Sequence, residues 1–483
     1  MKAKLLALIL TSMAALTACT RTQPPTNSQM ASSPTNLSAD ALNRRAIERR
    51  AVEAVIWGMP VVNYELMYRE MVRKLHGDFN QVLYWSRLLD SKNQTLTPNP
   101  DVIYVMPFFN TNEVGPVVLE IPPADDGVFN GSIMDRWQAA IEDVGPGGVD
   151  KGKGGKYLFM PPGFDRTKVP AGYIPMPSVT YEGYALLRSV LKSGSETDVA
   201  KAVAYAKRVK LYPLSQAGHS PETRFVDASG VEFDSTIPYD LRFFESLDRT
   251  IQAEPWLERD RAMIDPLKTI GIERGKPFGP DSSTKQILGN AILEAKAWFD
   301  ARYDMLPAYY EGKRWFFPIT EEMHQSVMAD WRVPDSYPVD ARGTVYTLAF
   351  FSAKHVGQAQ YYLLTGKDQA GQPLEGKTSY RLRVPANAPV TQYWSMTVYN
   401  RDTHTFIRDA RSVGRSSQTP GLKKNEDGSV DIFFGPTPPN GDESNWVPTD
   451  PKGRFEVLAR FYGPKPPLFD KTWQLSDVEP VKR

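Results

Sequence analysis

The chain has 483 residues, of which 41% are hydrophobic and 11% aromatic. This is enough apolar material for buried cores in about two to three domains. Lys and Arg number 57 against 56 for Asp and Glu, and the net charge of +1 argues against nucleic-acid binding and against attraction to a membrane through a polybasic surface. Because Cys19 is the only cysteine, the chain after it has no disulfide, no thiolate nucleophile and no cysteine-based metal site.

Residues 1–18 have the pattern of a signal peptide, in which a short basic segment precedes the apolar stretch Leu5–Leu16. That stretch is too short to span a membrane. The sequence Leu16–Thr17–Ala18–Cys19 resembles the lipobox of bacterial lipoproteins, which implies that Cys19 becomes the acylated first residue. Several acyl chains anchor a protein stably, so we expect the membrane to be its partner. Thr20 is not the Asp that retains such proteins at the inner membrane, so the resemblance favours an outer-membrane lipoprotein of the cell envelope.

The next segment, residues 19–38, is rich in Ser, Thr, Pro, Asn and Gln and predicts a flexible tether. Ser38 is a candidate N-cap for a helix from about Ala39 to Trp57, and Gly58 and Pro60 form its expected stop signal. A second helix should follow, because apolar residues recur there at helical spacing and are expected to be core. The residues of this stripe are Tyr64, Met67, Tyr68, Met71, Val72 and Leu75.

Short apolar runs between Pro and Gly clusters predict a first β-region, so that residues 39–195 contain helices followed by a β-sandwich. The expected strands are Asp101–Phe108, Pro116–Ile121, Lys156–Met160 and Val179–Leu187. Residues 196–339 predict a mainly helical connection, whose strongest helix runs from about Ser283 to Met305 with a cap between Asp281 and Ser283. Residues 340–483 predict a helix over Asp340–Leu364 and then a second β-region.

The second β-region is organised around Gln392–Asn400, which alternates large apolar with smaller polar side chains. Trp394, Met396 and Val398 should share one face, and Ser395, Thr397 and Tyr399 the other. The same alternation recurs over residues 455–462. We therefore expect a mixed α and β fold with two mainly antiparallel, jelly-roll-like β-sandwich regions and helical segments before and between them.

Motifs in both β-regions resemble a known pair of bacterial domains. The first region resembles domain of unknown function 1254 through Trp57–Gly58–Met59–Pro60, Thr97–Pro98–Asn99, Asp101, Tyr104 and Gly115–Pro116–Val117–Val118. The second resembles domain of unknown function 1214 through Tyr380, Trp394–Ser395, Thr397, Tyr399, Asp427–Gly428–Ser429, Asn445–Trp446, Pro448, Arg460, Tyr462 and Pro464. The resemblance implies β-sandwich proteins, several of them from bacterial envelopes. It implies no established reaction.

Motifs for several common chemistries are missing from the sequence. The five histidines include no His-x-x-x-His pair and no His-Glu-x-x-His motif, so we expect no metal and no cofactor. Gly218–His219–Ser220 lacks the second glycine of a nucleophile elbow. The glycine-rich segment 152–156 lacks the spacing of a phosphate-binding loop.

A set of polar and aromatic residues, most of them inside the matched motifs, forms the candidate ligand site. Its members are Asn99, Asp101, Tyr104, Arg136, Trp394, Ser395, Tyr399, Asn445, Trp446, Arg460 and Tyr462. Arg binds carboxylates with two parallel hydrogen bonds, Tyr donates hydrogen bonds, and Trp stacks on sugar or aromatic faces. The alternative is structural: Asn99 and Asp101 cap a turn, and Arg460 pairs with a buried acid. A buried Arg460 in either case requires a partner from the protein or a ligand.

These residues favour an envelope protein that binds a small polar or anionic molecule, such as a glycan or an organic acid, between two β-domains. One alternative is a cofactor-independent hydrolase or lyase that uses Asp101 and Tyr104, with help from an arginine, for acid–base catalysis. Another is a structural or interaction lipoprotein. The residues leave the ligand, enzymatic activity and assembly into a homo-oligomer open.

Overall fold

The computed structural model describes residues 37–349 and 353–481. The predicted signal peptide, the lipidation site Cys19 and the tether up to residue 36 lie outside the described residues. Within the described ranges, no helix combines the length and the apolar character needed to cross a membrane. All the sheets belong to the compact unit that begins at Arg45.

The secondary structure is mixed α and β, as the sequence predicts. The helices are α1 (Ala39–Leu75), α2 (Thr111–Val114), α3 (Glu196–Ala206), α4 (Leu241–Ala253), α5 (Arg261–Ile264), α6 (Ser282–Asp304), α7 (Glu321–Met328), α8 (Val339–Leu348) and α9 (Pro466–Phe469). The strands of the first half are β1 (Gln81–Tyr84), β2 (Asn93–Gln94), β3 (Val102–Asn110), β4 (Val117–Ile121), β5 (Phe129–Asp135), β6 (Ala140–Val144), β7 (Gly155–Met160), β8 (Tyr173–Pro177), β9 (Glu182–Val190), β10 (Lys210–Pro213), β11 (Phe225–Asp227) and β12 (Phe233–Asp234). Those of the second half are β13 (Gln360–Thr365), β14 (Tyr380–Val384), β15 (Trp394–Asn400), β16 (Gly414–Ser416), β17 (Val430–Gly435), β18 (Trp446–Pro448), β19 (Phe455–Tyr462) and β20 (Glu479–Pro480).

The larger sheets form two sandwiches in which most neighbouring strands are antiparallel. The first sandwich pairs a six-stranded sheet, in the order β11-β1-β3-β9-β5-β6, with the four-stranded sheet β10-β4-β7-β8. The second sandwich pairs β13-β19-β15-β16 with β18-β17-β14-β20. Strands β10 and β11 lie after residue 195, the predicted end of the first β-region, yet they pair with strands of the first sandwich. The predicted domain boundaries stay predictions.

Strand alternation gives each sandwich one internal face and one face toward a shared central core. In β19, Val457 and Phe461 point into the second sandwich, whereas Leu458 and Tyr462 belong to the central core. The side chains of β3 alternate in the same way, with Ile103 and Val105 inside the first sandwich and Tyr104 and Met106 in the central core. Helices α1, α4, α6, α7 and α8 also contribute to this core. The central core is therefore where the two sandwiches and the helices meet.

The predicted break in the first helix at Gly58 and Pro60 is wrong, because α1 continues through both residues to Leu75. Pro60 has no N–H for the carbonyl oxygen of Ile56, which normally accepts from the residue four positions later. Helix α8 packs against that carbonyl group at Gly343, where an added Cβ atom would lie 2.6 Å from the oxygen. Gly58 likewise lets α4 approach, since its Cβ atom would lie 3.0 Å from Leu247. Tertiary packing thus overrides both stop signals.

The predicted helix over Asp340–Leu364 is also wrong in its second half. Helix α8 ends at Leu348, and strand β13 begins at Gln360. Strand β13 is buried on both sides, with Leu363 in the second sandwich and Leu364 in the central core. A strand that is apolar on both faces loses its alternation, so periodicity cannot distinguish it from a buried helix. By contrast, the predicted helix near Ser283–Met305 is confirmed as α6, with Asp281 as its N-cap.

Candidate functional site

A cavity lies between the two sandwiches, in the central core. Its empty space amounts to about 1420 Å³ with open solvent at the mouth included. Strands β3 and β9 of the first sandwich, strands β13 and β19 of the second, and helices α7 and α8 all contribute to the wall. The polar part of the wall includes Tyr104, Arg188, Tyr362 and Arg460.

Arg460 is a buried cavity residue held by four hydrogen bonds. Its side chain is 2% exposed, and it projects from β19 toward the loop that precedes β3. The guanidinium donates to the hydroxyl groups of Thr397 at 2.9 Å and Tyr399 at 2.6 Å. It also donates to the carbonyl oxygens of Thr97 at 2.7 Å and Pro98 at 3.2 Å. All of these partners are formally neutral.

The predicted alternative, in which Arg460 pairs with a buried acid, is not what its hydrogen bonds show. Among the described residues, no carboxylate oxygen lies within 4.0 Å of its guanidinium. Burial raises the pKa of the hydroxyl group of Tyr399 despite the opposing charge of Arg460, so the tyrosine stays protonated at neutral pH. The hydrogen bonds of Arg460 therefore go to dipoles, and the carboxyl group of Asp101 interacts with its charge only from beyond ion-pair distance. An anion in direct contact would reduce the desolvation cost of burying the guanidinium.

Asn99 connects the loop before β3 to the second sandwich. Its side-chain amide nitrogen donates to the hydroxyl groups of Tyr393 at 2.9 Å and Tyr462 at 2.8 Å. Its side-chain oxygen accepts from the backbone N–H of Asp101 at 3.0 Å, which is the turn-capping contact that the sequence predicts as the structural alternative. The backbone N–H of Asn99 donates to the hydroxyl group of Tyr104 at 3.0 Å. One buried side chain thus fixes the loop that also receives Arg460.

Asp101 lies at the other side of this loop, in a smaller hollow that it shares with Ser416 and Thr419. Burial raises the pKa of its carboxyl group, and the hydroxyl groups of Ser416 and Ser395 and the charge of Arg460 offset part of this effect. Asp101 does not line the large cavity, whereas Tyr104 does. The two candidate acid–base residues therefore face different spaces.

Sequence reasoning missed Arg188 and Tyr362. Arg188, on β9, is 4% exposed, and its guanidinium carbon lies 5.4 Å from the ring centroid of Tyr104. The guanidinium carbon of Arg460 lies 5.4 Å from the ring centroid of Tyr362. Arg188, Arg460, Tyr104 and Tyr362 all line the same cavity, which places the two cations around one cluster. The available signal was an arginine inside an apolar strand, which Arg188 shares with Arg460.

The structure separates four of the predicted residues from this cluster. Trp394 points into the second sandwich. The indole N–H of Trp446 donates to the carbonyl oxygen of Gly435 at 2.9 Å. The side-chain amide of Asn445 donates to the carbonyl oxygen of Lys423 and accepts from its N–H, both at 2.8 Å. It also donates to the carbonyl oxygen of Asp431 at 2.8 Å, which ties this loop to β17. None of the three lines the large cavity.

Arg136, the fourth, belongs to a buried ion-pair network. Its guanidinium donates to Glu65 at 2.7 Å and to Glu182, and Arg249 also binds Glu65, at 2.6 Å. The carboxylate of Glu254 accepts from the backbone N–H of Glu182 at 2.9 Å. Three acidic side chains thus surround Arg136, and burial together with the charges of Glu254 and Glu65 raises the pKa of Glu182 to about 7, although Arg136 opposes the shift.

This shift predicts a pH dependence of stability. The folded protein holds a proton on Glu182 that the unfolded chain releases near the ordinary pKa of 4.5, so the free energy of unfolding should fall as the pH rises from about 4.5 to about 7. Glu182→Gln should flatten this decrease, as measured by urea unfolding at several pH values. Glu258→Gln, at a side chain that is 83% exposed, should keep the wild-type slope. Equal slopes in Glu182→Gln and wild type would refute the assignment.

Comparisons with known proteins agree with the motifs of the two β-regions. Residues 79–213 match the family model of a protein of unknown function, DUF1254, and residues 359–466 match that of another, DUF1214. No curated protein matches this chain. The crystal structure of the VPA0106 protein from Vibrio parahaemolyticus aligns with a TM-score of 0.56 at 18% identity, over 90% of this chain and 100% of that one. An uncharacterized protein from Burkholderia cenocepacia aligns with a TM-score of 0.38 at 10% identity, over 91% and 95% of the two chains.

At 18% identity, the Vibrio parahaemolyticus structure shows a shared fold and nothing about activity. The family matches cover strands of both sandwiches, including those that carry Tyr104, Arg188 and Arg460. The chain therefore carries a DUF1254 region followed by a DUF1214 region.

Proposed function

We propose that this protein is a lipid-anchored envelope protein that binds a small polar or anionic ligand in the cavity between its two sandwiches. The observation that carries the proposal is Arg460, a buried cation at the cavity wall whose hydrogen bonds all go to neutral oxygen atoms. A carboxylate or phosphate group beside it would offset the cost of burying this charge. Arg188 adds a second cation to the same cluster.

The cavity supports ligand binding better than acid–base catalysis by Asp101. The carboxyl group of Asp101 opens into the smaller hollow, whose empty space is about 380 Å³. A general base must come within hydrogen-bond reach of the proton that it abstracts. A ligand held at Arg460 in the large cavity therefore contacts arginine and tyrosine side chains, which can bind and orient it, and does not contact Asp101.

The proposal predicts that a screen of small organic anions will raise the melting temperature of the purified protein in a saturable way, because a ligand that binds only the folded state stabilises it. Arg460→Met should weaken the affinity by at least about tenfold, since it removes a charged hydrogen-bond donor. Arg460→Lys keeps the charge and should lose less.

Arg401→Met is the matched control, because Arg401 is a buried arginine that pairs with Asp300 at 3.3 Å and does not line the cavity. Its affinity for the anion should equal that of wild type. Circular dichroism of each unliganded variant establishes that it is folded. The proposal is wrong if no anion raises the melting temperature, or if folded Arg460→Met binds the anion as tightly as wild type.

A further inference from the structure

We infer that the ligand of this cavity is an amphipathic anion, with a carboxylate or similar head group at the arginines and an unbranched aliphatic chain along the rest of the wall. The inference rests on the proposed function and adds the chemical class of the ligand. It follows from how polar and apolar groups are distributed around the cavity.

Most of the wall is apolar, and aliphatic side chains make up the largest share of it. Side chains from several elements share this character: Leu96, Met106, Leu186, Met323, Val327 and Leu348. Methionine is flexible and polarizable, so its side chain adapts to an irregular apolar ligand. A sugar or a compact hydroxy acid would place hydroxyl groups against this wall without hydrogen-bond partners, which costs free energy. An aliphatic chain makes favourable contact there instead.

Several of the other polar groups in the wall are already satisfied by the protein. Asp143 accepts from the hydroxyl group of Ser132 at 2.6 Å and from the backbone N–H groups of Lys354 at 2.9 Å and His355 at 2.6 Å. Thr95 donates to the side-chain oxygen of Asn93 at 2.6 Å. The side-chain nitrogen of Asn93 and the side-chain oxygen of Gln360 also lie in the wall and have no hydrogen-bond partner among the described residues. Both groups are uncharged, so a charged head group gains most at the cluster around Arg460.

Helix α7 and the segment before it define the apolar side. Ile319, Met323 and Val327 line the cavity, and none of them carries a charge. Because the anionic head is attracted to Arg460 and Arg188, the chain of the ligand is directed along these aliphatic residues. A single molecule then satisfies both parts of the wall, which neither a purely polar anion nor a neutral hydrocarbon does.

The test uses calorimetric titration of the full-length chain with the substitution Cys19→Ser, which prevents acylation, purified without detergent. The probes are butanoate, octanoate and dodecanoate, each below its micelle concentration. Affinity should rise by about threefold to fourfold for each added methylene group, because each one is removed from water in the cavity. Dodecyltrimethylammonium, which has the same chain and the opposite charge, should bind at least about tenfold more weakly than dodecanoate.

Two variants separate the head from the chain. Arg460→Met should weaken binding of all three carboxylates. Ile319→Trp fills part of the cavity at a partly buried position and should weaken dodecanoate more than butanoate. Leu293→Trp adds the same side chain on α6 at a position that is 57% exposed, and should leave both affinities unchanged. If Arg460→Met does not fold, Ile319→Trp still tests whether the aliphatic chain binds in the cavity, and the cationic probe still tests whether the head group must be an anion.

The possible failures are distinguishable. Anions that bind through Arg460 with an affinity independent of chain length overturn this inference and leave the proposed function standing. Failure of every anion to bind overturns both. Equal affinity for dodecanoate and dodecyltrimethylammonium overturns the anionic head group.

Discussion

Replacing Arg136 with Met should lower the free energy of unfolding by about 3–5 kcal/mol, the usual loss when one partner of a buried ion pair is removed. Arg136 is 2% exposed and forms ion pairs with Glu65 and Glu182. In the variant, Glu65 keeps Arg249, whereas Glu182 loses its paired cation. The loss should therefore be larger at pH 8 than at pH 5, where Glu182 can hold a proton. Urea unfolding at the two pH values measures both effects.

Arg208→Met is the control for this experiment. Arg208 binds Asp125 at 2.6 Å and Asp126 at 2.5 Å, but the side chains of both acids are more than half exposed. Exposed ion pairs contribute little, so this variant should lose less than about 1 kcal/mol. A comparably small loss in Arg136→Met would mean that the buried network does not stabilise the fold.

Replacing Gly343 with Ala should lower the free energy of unfolding by about 1–3 kcal/mol, although alanine favours helix formation over glycine. Its Cβ atom would lie 2.6 Å from the carbonyl oxygen of Ile56 and 3.2 Å from the ring of Phe299. Both contacts belong to packed helices, so α1 and α8 would have to separate. Thermal and urea unfolding measure the loss.

Gly289→Ala is the matched control, because Gly289 lies inside α6 and its added Cβ atom would meet nothing within 4 Å. This substitution should stabilise the protein by about 0.5–1 kcal/mol through helix propensity alone. The two substitutions are chemically identical, and we expect opposite signs. Stabilisation by both would show that α8 can move away from α1 without cost.

Local patterns predicted much of the fold correctly. The alternation over residues 455–462 is confirmed, because Val457 and Phe461 lie inside the second sandwich while Arg460 and Tyr462 face the central core. The cap of α6 at Asp281 is also confirmed. Such features depend on residues within a few positions of each other, and their physical causes are present in the sequence itself.

Features that depend on distant partners were beyond sequence reasoning. Helix α1 continues through Pro60 where α8 packs closely at Gly343, and the buried Arg136 is paired with Glu65 and Glu182. Arg136 and Arg460 are both buried, yet Arg136 forms ion pairs with two carboxylates and Arg460 donates to neutral oxygens. The sequence by itself determined strand faces, helix caps and the two β-regions, because these follow from local periodicity. Only the tertiary structure decided which buried arginine is neutralised by the protein, because the charge around a side chain is set by residues that folding brings together from far along the chain.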